Sequence, residues 1–416
     1  MWLIPYNLCW TFLSTLLLPL TCTNERFKKR WSLTLPSITF DKRPLWIHAL
    51  SVGEVLSVVP LIDFLLKVCN KNILLTVTTK KGMEIAEKKL KNKVEILYYF
   101  PFDFWWSVKR FVDQINPSVF ILIETDIWPF LLYYLNLKKI KSFLVNGRIS
   151  PKTYFRYTKA SKITKYIFNY FELCMVQSEL DRNRLIRIGI DKDKVIATGN
   201  IKFDRDFGSI SNEEKKKWKN ILGILDNQMV LVAGSTHPGE EEVIFSIFKK
   251  LKDNIPAFFL IIAPRDVSRA KEVFNKAKYI GLNPELRSKC PVKSKGDVIV
   301  VDSIGELARL YGIADIAFVG GSLVAFGGHN IIEPAYFGCP VIFGPHMFNF
   351  KDISEALLSS GGGIMVNNKD ELYKSIFRLI KDLDYRMRMR NACYSFVQKN
   401  RGAVKKVVQL ISSALL

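Results

Sequence analysis

The residues best suited to chemistry in this chain fall in short polar loops that interrupt apolar runs. In LWIHALSVGEVLSVVPLIDFLL (45–66) the run to Leu50 meets Ser51-Val52-Gly53-Glu54, and a helix-like pattern follows in which Leu56, Val59, Ile62 and Leu66 mark the expected buried face. A carboxylate in a first helical turn is favoured by the helix dipole alone, so Glu54 reads either as a dipole partner or as a base. In VFILIETDIWPFLL an almost wholly apolar run ends in Glu124-Thr125-Asp126, which puts carboxylates at the rim of a buried sheet. AGSTHPGEEE places Gly234 and Ser235 before a helical first turn holding Glu240, Glu241 and Glu242, an arrangement suited to a phosphate or to simple capping. DIAFVGGSLVAFGGHNIIEPAYFGCPVIFGP is more informative. Gly320-Gly321-Ser322 closes a strand, Gly327-Gly328 allows close backbone approach, and His329-Asn330 is expected to open a helix with Glu333 one turn in. A phosphate at that helix start and a ribose diol at Glu333 would make a nucleotide cradle, although neither GxGxxG nor GxxxxGK[ST] occurs. Two carboxylate loops facing such a cradle across a cleft suggest acid/base chemistry. His48, His237, His329 and His346 all lie in or beside these loops, but no HxxxH-like spacing occurs, so no catalytic metal is expected.

What must position these loops is an alternation of short apolar runs with longer helix-like segments. The first half offers strands at Trp46–Leu50, Ile73–Thr79, Glu95–Tyr99, Val119–Glu124, Ser142–Asn146, Leu173–Gln177 and Val195–Gly199. They are continuous rather than alternating, as parallel strands covered on both faces are. After the polar stretch DRDFGSISNEEKKKWKN the pattern restarts, with strands at Met229–Ala233, Ala257–Ile262, Asp297–Val301, Ile316–Val319, Pro340–Phe343 and Gly363–Val366. Two α/β domains are expected, at 25–205 and 206–416. In open α/β sheets ligands bind outside the carboxyl ends of the strands, where the polar loops lie, including Thr78–Gly82, Asn146-Gly147-Arg148 and Gly199–Lys202.

The 416 residues carry 61 Lys+Arg against 39 Asp+Glu, a formal net charge of +22 that favours polyanionic partners. No aromatic-basic recognition motif or basic repeat points to nucleic acid. Seven scattered cysteines, Cys9, Cys22, Cys69, Cys174, Cys290, Cys339 and Cys393, form no CxxC pair, which speaks against a disulfide framework or structural zinc. Residues 1–24 contain no charge and are rich in Leu, Trp and Phe, then Arg26, Lys28, Lys29 and Arg30 follow. That order predicts a membrane anchor with everything downstream on the cytoplasmic side. The aromatic group Phe102, Phe104, Trp105 and Trp106 fits either an acceptor or membrane face or core packing.

WIHALSVGE, FPFDFWWSVKRFVDQINPSVFILIETDIWP, NGRIS, TGNIKFD, AGSTHPGEEE and GGSLVAFGGHNIIEPAYFGCPVIFGP together resemble the Kdo transferases of Gram-negative bacteria, over nearly the whole chain. That resemblance implies a GT-B glycosyltransferase of two Rossmann-like domains with a cleft between them and an N-terminal membrane anchor. It implies CMP-Kdo as donor, bound mainly by the C-terminal domain, and the tetraacylated, bisphosphorylated lipid A precursor as acceptor at the inner leaflet, with inversion at the anomeric centre and no cofactor. Glu54 matches the family's catalytic glutamate, which the helix dipole would keep ionised. Glu124 matches a second acid. Ser235, Gly321, Ser322, Asn330 and Glu333 match nucleotide-binding positions, and Gly320, Gly328, His237 and Arg265 join them at the donor. Ser51, Gly53, Arg148 and Lys202 are assigned to the acceptor or to carboxylate and phosphate groups. The alternative is another GT-B envelope transferase with a different nucleotide-sugar donor.

Overall fold

The computed structural model describes residues 3–21, 23–36, 42–68, 72–289 and 296–415. Cys22, Cys69 and Cys290 lie outside them, and the remaining four cysteines are free. The chain forms two compact units, 1–206 together with 400–416, and 207–399. The C-terminal segment does not follow the expected 206–416 domain, because the helix Ala403–Leu415 buries Ala403, Val404, Val407, Val408 and Ile411 in the apolar layer of the first unit.

The first unit is built on a sheet of β1 (Leu45–Ala49), β2 (Ile73–Val77), β3 (Ile96–Tyr99), β4 (Val119–Ile123), β5 (Lys141–Gly147), β6 (Leu173–Val176) and β7 (Val195–Ala197). Their order is β3-β2-β1-β4-β5-β6-β7, and every pairing is parallel. Parallel strands need crossover helices on the sheet faces, which is why β1, β2 and β4 are buried along their whole length and β5 at every residue after Lys141. The helix Val52–Val68 follows β1 and packs with the C-terminal helix on one face, burying Val55, Val58, Leu61, Ile62 and Leu65. The expected face of Leu56, Val59 and Leu66 is rotated by about one residue. Leu66 is exposed, while Glu54 itself turns inward.

The second unit repeats the plan with β8 (Met229–Thr236), β9 (Phe258–Pro264), β10 (Pro284–Leu286), β11 (Val298–Val300), β12 (Ile316–Val319), β13 (Val341–Phe343) and β14 (Gly363–Met365), ordered β10-β11-β9-β8-β12-β13-β14 and again all parallel.

The N-terminal helix Leu3–Thr21 lies on the first unit. Tyr6 donates its hydroxyl to buried Asp103 at 2.7 Å, and Trp10 stacks on Phe104 at 6.5 Å. Asp103 also accepts from the backbone N–H groups of Phe130 and Leu131, so one carboxylate pins the helix and caps the helix Pro129–Leu137. Ile4, Leu8, Phe12 and Leu16 form a row at i, i+4 spacing on the outer side, each more than half exposed. No helix among the described residues is long and apolar enough to cross a membrane. Phe102, Phe104 and Trp106 gather around buried Trp31, with ring centroids 4.7, 5.1 and 6.2 Å away, whereas Trp105 is exposed.

Candidate active site

In the first unit the site forms at the carboxyl ends of β1, β4 and β5. The Glu54 carboxylate accepts from the backbone N–H of Leu50 at 2.6 Å and from the Ser51 hydroxyl at 3.0 Å, which folds it back over the end of β1. Burial, then the charges of Glu124 and Asp126, push its pKa from 4.5 up to about 8, against the opposing pull of those two hydrogen bonds. The expectation that the helix dipole keeps Glu54 ionised is therefore reversed. Burial also raises Asp126. Gly53 is exposed, and a Cβ there would meet nothing closer than the Ser51 hydroxyl at 3.9 Å, so packing does not demand glycine at this position.

Glu124 sits at φ +60°, a conformation rare for a residue with a side chain and maintained only where surrounding structure imposes it. Its N–H donates to the Val145 carbonyl at 2.9 Å, and its carboxylate accepts from Lys202 at 2.8 Å. Lys202 thus serves Glu124 directly instead of standing free for a substrate anion. A network that the motifs did not reveal positions it. Ile201 N–H donates to the Asn146 side chain, Gln177 donates to the Asn146 carbonyl, Asn200 donates to Gln177, and the Asn200 oxygen caps Lys202 N–H, all between 3.0 and 3.1 Å. The only hint in the sequence was polar residues at three successive strand ends. Arg148 is joined to the acid loop through its backbone, whose carbonyl accepts the Thr125 hydroxyl at 2.5 Å.

In the second unit Ser235, at φ +57°, is a bulge within β8, so the strand runs on through Gly234–Thr236 where a loop was expected. Gly320 N–H donates to the Gly234 carbonyl at 2.8 Å, and a Cβ on Gly320 would come within 2.5 Å of the Ser235 carbonyl oxygen. Only glycine allows that approach. Gly328 N–H donates to the Gly321 carbonyl, which brings the second glycine pair onto the first. Next to them His237 and His329 share a 2.8 Å Nε2···Nε2 contact with their rings coplanar to 2°. Burial and then the Arg265 charge lower both imidazoles, His329 to about 4, so the pair is neutral at pH 7 and one ring donates to the other. Arg265 is exposed at the end of β9, anchored by its N–H to the Thr236 carbonyl.

Two donor-site expectations need correction. Ser322 is fully buried, its hydroxyl donating to the Val319 carbonyl and accepting from Gly344 N–H, so it supports the loop from inside. His329 and Asn330 do not open a helix either. A single short turn starts at Ile332, capped by the Asn330 side chain, and Asn330 donates to Glu333 at 3.3 Å. Pro334 and the glycine at 338 confine that turn to Ile332–Tyr336. Among the described residues no group of three His, Cys, Asp or Glu could hold a metal ion.

Two parallel α/β units with polar loops at the carboxyl ends of their strands make a GT-B-like protein. The chain is similar in fold to the UDP-GlcNAc 2-epimerase of Neisseria meningitidis, with a TM-score of 0.62 at 16% identity over 89% of this chain and 100% of that one. Residues 24–205 match the family model described as 3-deoxy-D-manno-octulosonic-acid transferase (kdotransferase). The chain is 34% identical over 376 residues to a 3-deoxy-D-manno-octulosonic acid transferase of Haemophilus influenzae, covering 89% of this chain and 87% of that one. It is also 36% identical over 374 residues to a bifunctional glycosyltransferase/methyltransferase of Fusobacterium nucleatum, covering 89% of this chain and 57% of that relative. The chain belongs to the 3-deoxy-D-manno-octulosonic-acid transferase family and is a glycosyltransferase.

Proposed function

We propose that this chain transfers 3-deoxy-D-manno-octulosonic acid (Kdo) from CMP-Kdo to the tetraacylated, bisphosphorylated lipid A precursor in lipopolysaccharide core biosynthesis, with inversion at the anomeric carbon. The observation that carries this reading is the buried Glu54 carboxylate next to Glu124, in a chain of this family. Glu54 accepts the proton of the attacking sugar hydroxyl as the new glycosidic bond forms, and the bond to CMP breaks with its electron pair leaving on the phosphate. Glu124, held by Lys202, orients the acceptor or the base. Ser51, Gly53 and Arg148 line the acceptor side, Arg148 meeting a phosphate or the Kdo carboxylate. Ser235, His237, Arg265, Asn330 and Glu333 bind the donor, Glu333 at the ribose, and no cofactor beyond the donor nucleotide takes part.

The test is mass spectrometry of product after detergent-solubilised protein is incubated with a CMP-Kdo-generating system and tetraacyl lipid A precursor. A gain of whole Kdo units is expected, and an unchanged acceptor from folded protein would refute the reading.

We propose further that the protein works at the inner membrane, with its catalytic units on the cytoplasmic side. There the outer row of the N-terminal helix enters the lipid interface and the +22 net charge meets the anionic leaflet. Co-flotation with anionic phospholipid vesicles is expected for the native protein and should be lost in the triple variant Leu8→Asp, Phe12→Asp, Leu16→Asp. Equal flotation of the two proteins would remove the helix from this role.

A further inference from the structure

Strand ends in α/β sheets commonly present a nest of backbone N–H groups to a ligand's phosphate, and Gly321-Ser322-Leu323 after β12 forms such a nest. Here it is already filled. Glu240, fully buried at the start of the helix Glu240–Asn254, points its carboxylate into it. One oxygen accepts from Gly321 N–H at 2.7 Å and from His237 N–H at 2.9 Å, and the other accepts from Ser322 N–H at 3.1 Å and Leu323 N–H at 3.0 Å. All four contacts are donors, so they suit an acceptor-only carboxylate and leave no partner for a carboxyl proton.

We propose that Glu240 is the positioning residue of the donor site: it acts as an internal anion that closes the nest after β12 and locks the His237 loop to the Gly321 loop, so that the donor's phosphate is bound outside the nest, on the Ser235–His237–Arg265 side. This rests on the reading of the second unit as the nucleotide-sugar site.

The geometry around the clamp supports this. Gly321 lies at φ +66°, and a Cβ there would stand 3.1 Å from the His329 ring and 3.3 Å from the His237 ring. The loop that Glu240 holds is therefore the surface against which the histidine pair is set. With Gly321, Ser322 and Leu323 already donating inward, an incoming phosphate finds its donors elsewhere: the Ser235 hydroxyl, the Arg265 guanidinium and the one ring N–H that the neutral histidine pair leaves free. Neighbouring Glu241 is also fully buried but pairs with Arg269 at 3.0 Å, away from the nest, so Glu240 alone serves this purpose among the three acids of the turn.

Amide hydrogen exchange on the native full chain, with and without CMP, tests the clamp without a variant. The amides of Gly321, Ser322 and Leu323 should exchange slowly with no nucleotide present and change less than about twofold when CMP is added, while CMP slows the segment around 235–237. Fast exchange at 321–323 in the free protein, or protection there that appears only with CMP, overturns the proposal. Failure of CMP to protect any segment of the second unit, with 321–323 slow throughout, would instead refute the donor reading and leave the clamp standing. In Glu240→Gln the amide sets its own N–H groups against two backbone donors. The expected result is a donor KM raised at least about tenfold with acceptor KM unchanged and kcat within about threefold. A folded Glu240→Gln protein with native donor KM would also overturn it.

Discussion

Glu54→Gln is expected to lower kcat between about 100-fold and 10,000-fold, the range that a general base contributes, while CMP-Kdo binding persists. The same variant should be the more stable protein at pH 8. The rise of the Glu54 pKa from 4.5 to about 8 corresponds to roughly 5 kcal/mol. A helix dipole supplies only about 0.3–1 kcal/mol, so burial and the neighbouring carboxylates prevail over it. Because the folded value lies above the unfolded one, the stability linked to this proton is full below about pH 4.5 and is lost as pH rises toward 8. Gln mimics the neutral carboxyl at every pH: its oxygen can accept from Leu50 N–H while its amide donates to the Ser51 hydroxyl. Melting curves of the two proteins should therefore coincide near pH 4.5 and separate progressively above it, with the variant higher. Activity runs the opposite way in the native enzyme. A base that is mostly protonated at pH 7 gives a kcat/KM that climbs with pH and levels off above about 8. Near-native turnover in Glu54→Gln, or a flat profile between pH 6 and 9, would pass the proton to another group, with Glu124 first in line.

The two sheets were legible because parallel strands covered on both faces leave unbroken apolar runs, as at Val119–Ile123 and Phe258–Pro264. β10 left no such trace, since a three-residue edge strand beginning at Pro284 carries too little pattern. The loops announced themselves through residue type: Glu124, His237 and Gly320 directly follow β4, β8 and β12, while Glu54 stands in the first helical turn after β1 and Ser235 within the end of β8. What they do there depended on contacts that a linear pattern cannot encode. Lys202 lies 78 residues from Glu124, and His329 lies 92 from His237. Glu240 looked like one of three interchangeable acids in a helical turn, yet it alone faces the nest. The positive φ of Glu124, Asn146 and Ser235 was equally hidden, because no glycine marks those positions. The error over Glu54 has the same origin, since dipole reasoning is local whereas burial and the proximity of Glu124 and Asp126 belong to the folded unit.

Deleting residues 403–416 is expected to unfold the first unit while leaving the second intact. The helix Ala403–Leu415 is amphipathic, and chain position assigned it to the domain it follows, but it completes the layer over β1, β2 and β4 and packs against the very helix that carries Glu54. Val404, Val407, Val408 and Ile411 are buried there together with Ala403. At about 1.5–3 kcal/mol for each of the four larger side chains, their loss approaches the 5–15 kcal/mol that holds a typical domain together, an upper figure because unfolded chains already hide some apolar surface. A polar anchor fixes the helix start: the Asp204 carboxylate accepts from Gly402 N–H at 2.5 Å and Val404 N–H at 2.7 Å. Asp204→Ala alone should cost about 1–2 kcal/mol, as the loss of a capping side chain does. Limited proteolysis distinguishes the units, since the truncated protein should keep a resistant fragment covering 207–399 and lose 45–200 to rapid cleavage. If the truncated first unit instead resisted protease and melted within a few degrees of the native protein, the packing of Val404, Val407, Val408 and Ile411 would not be what keeps the Glu54 helix in place.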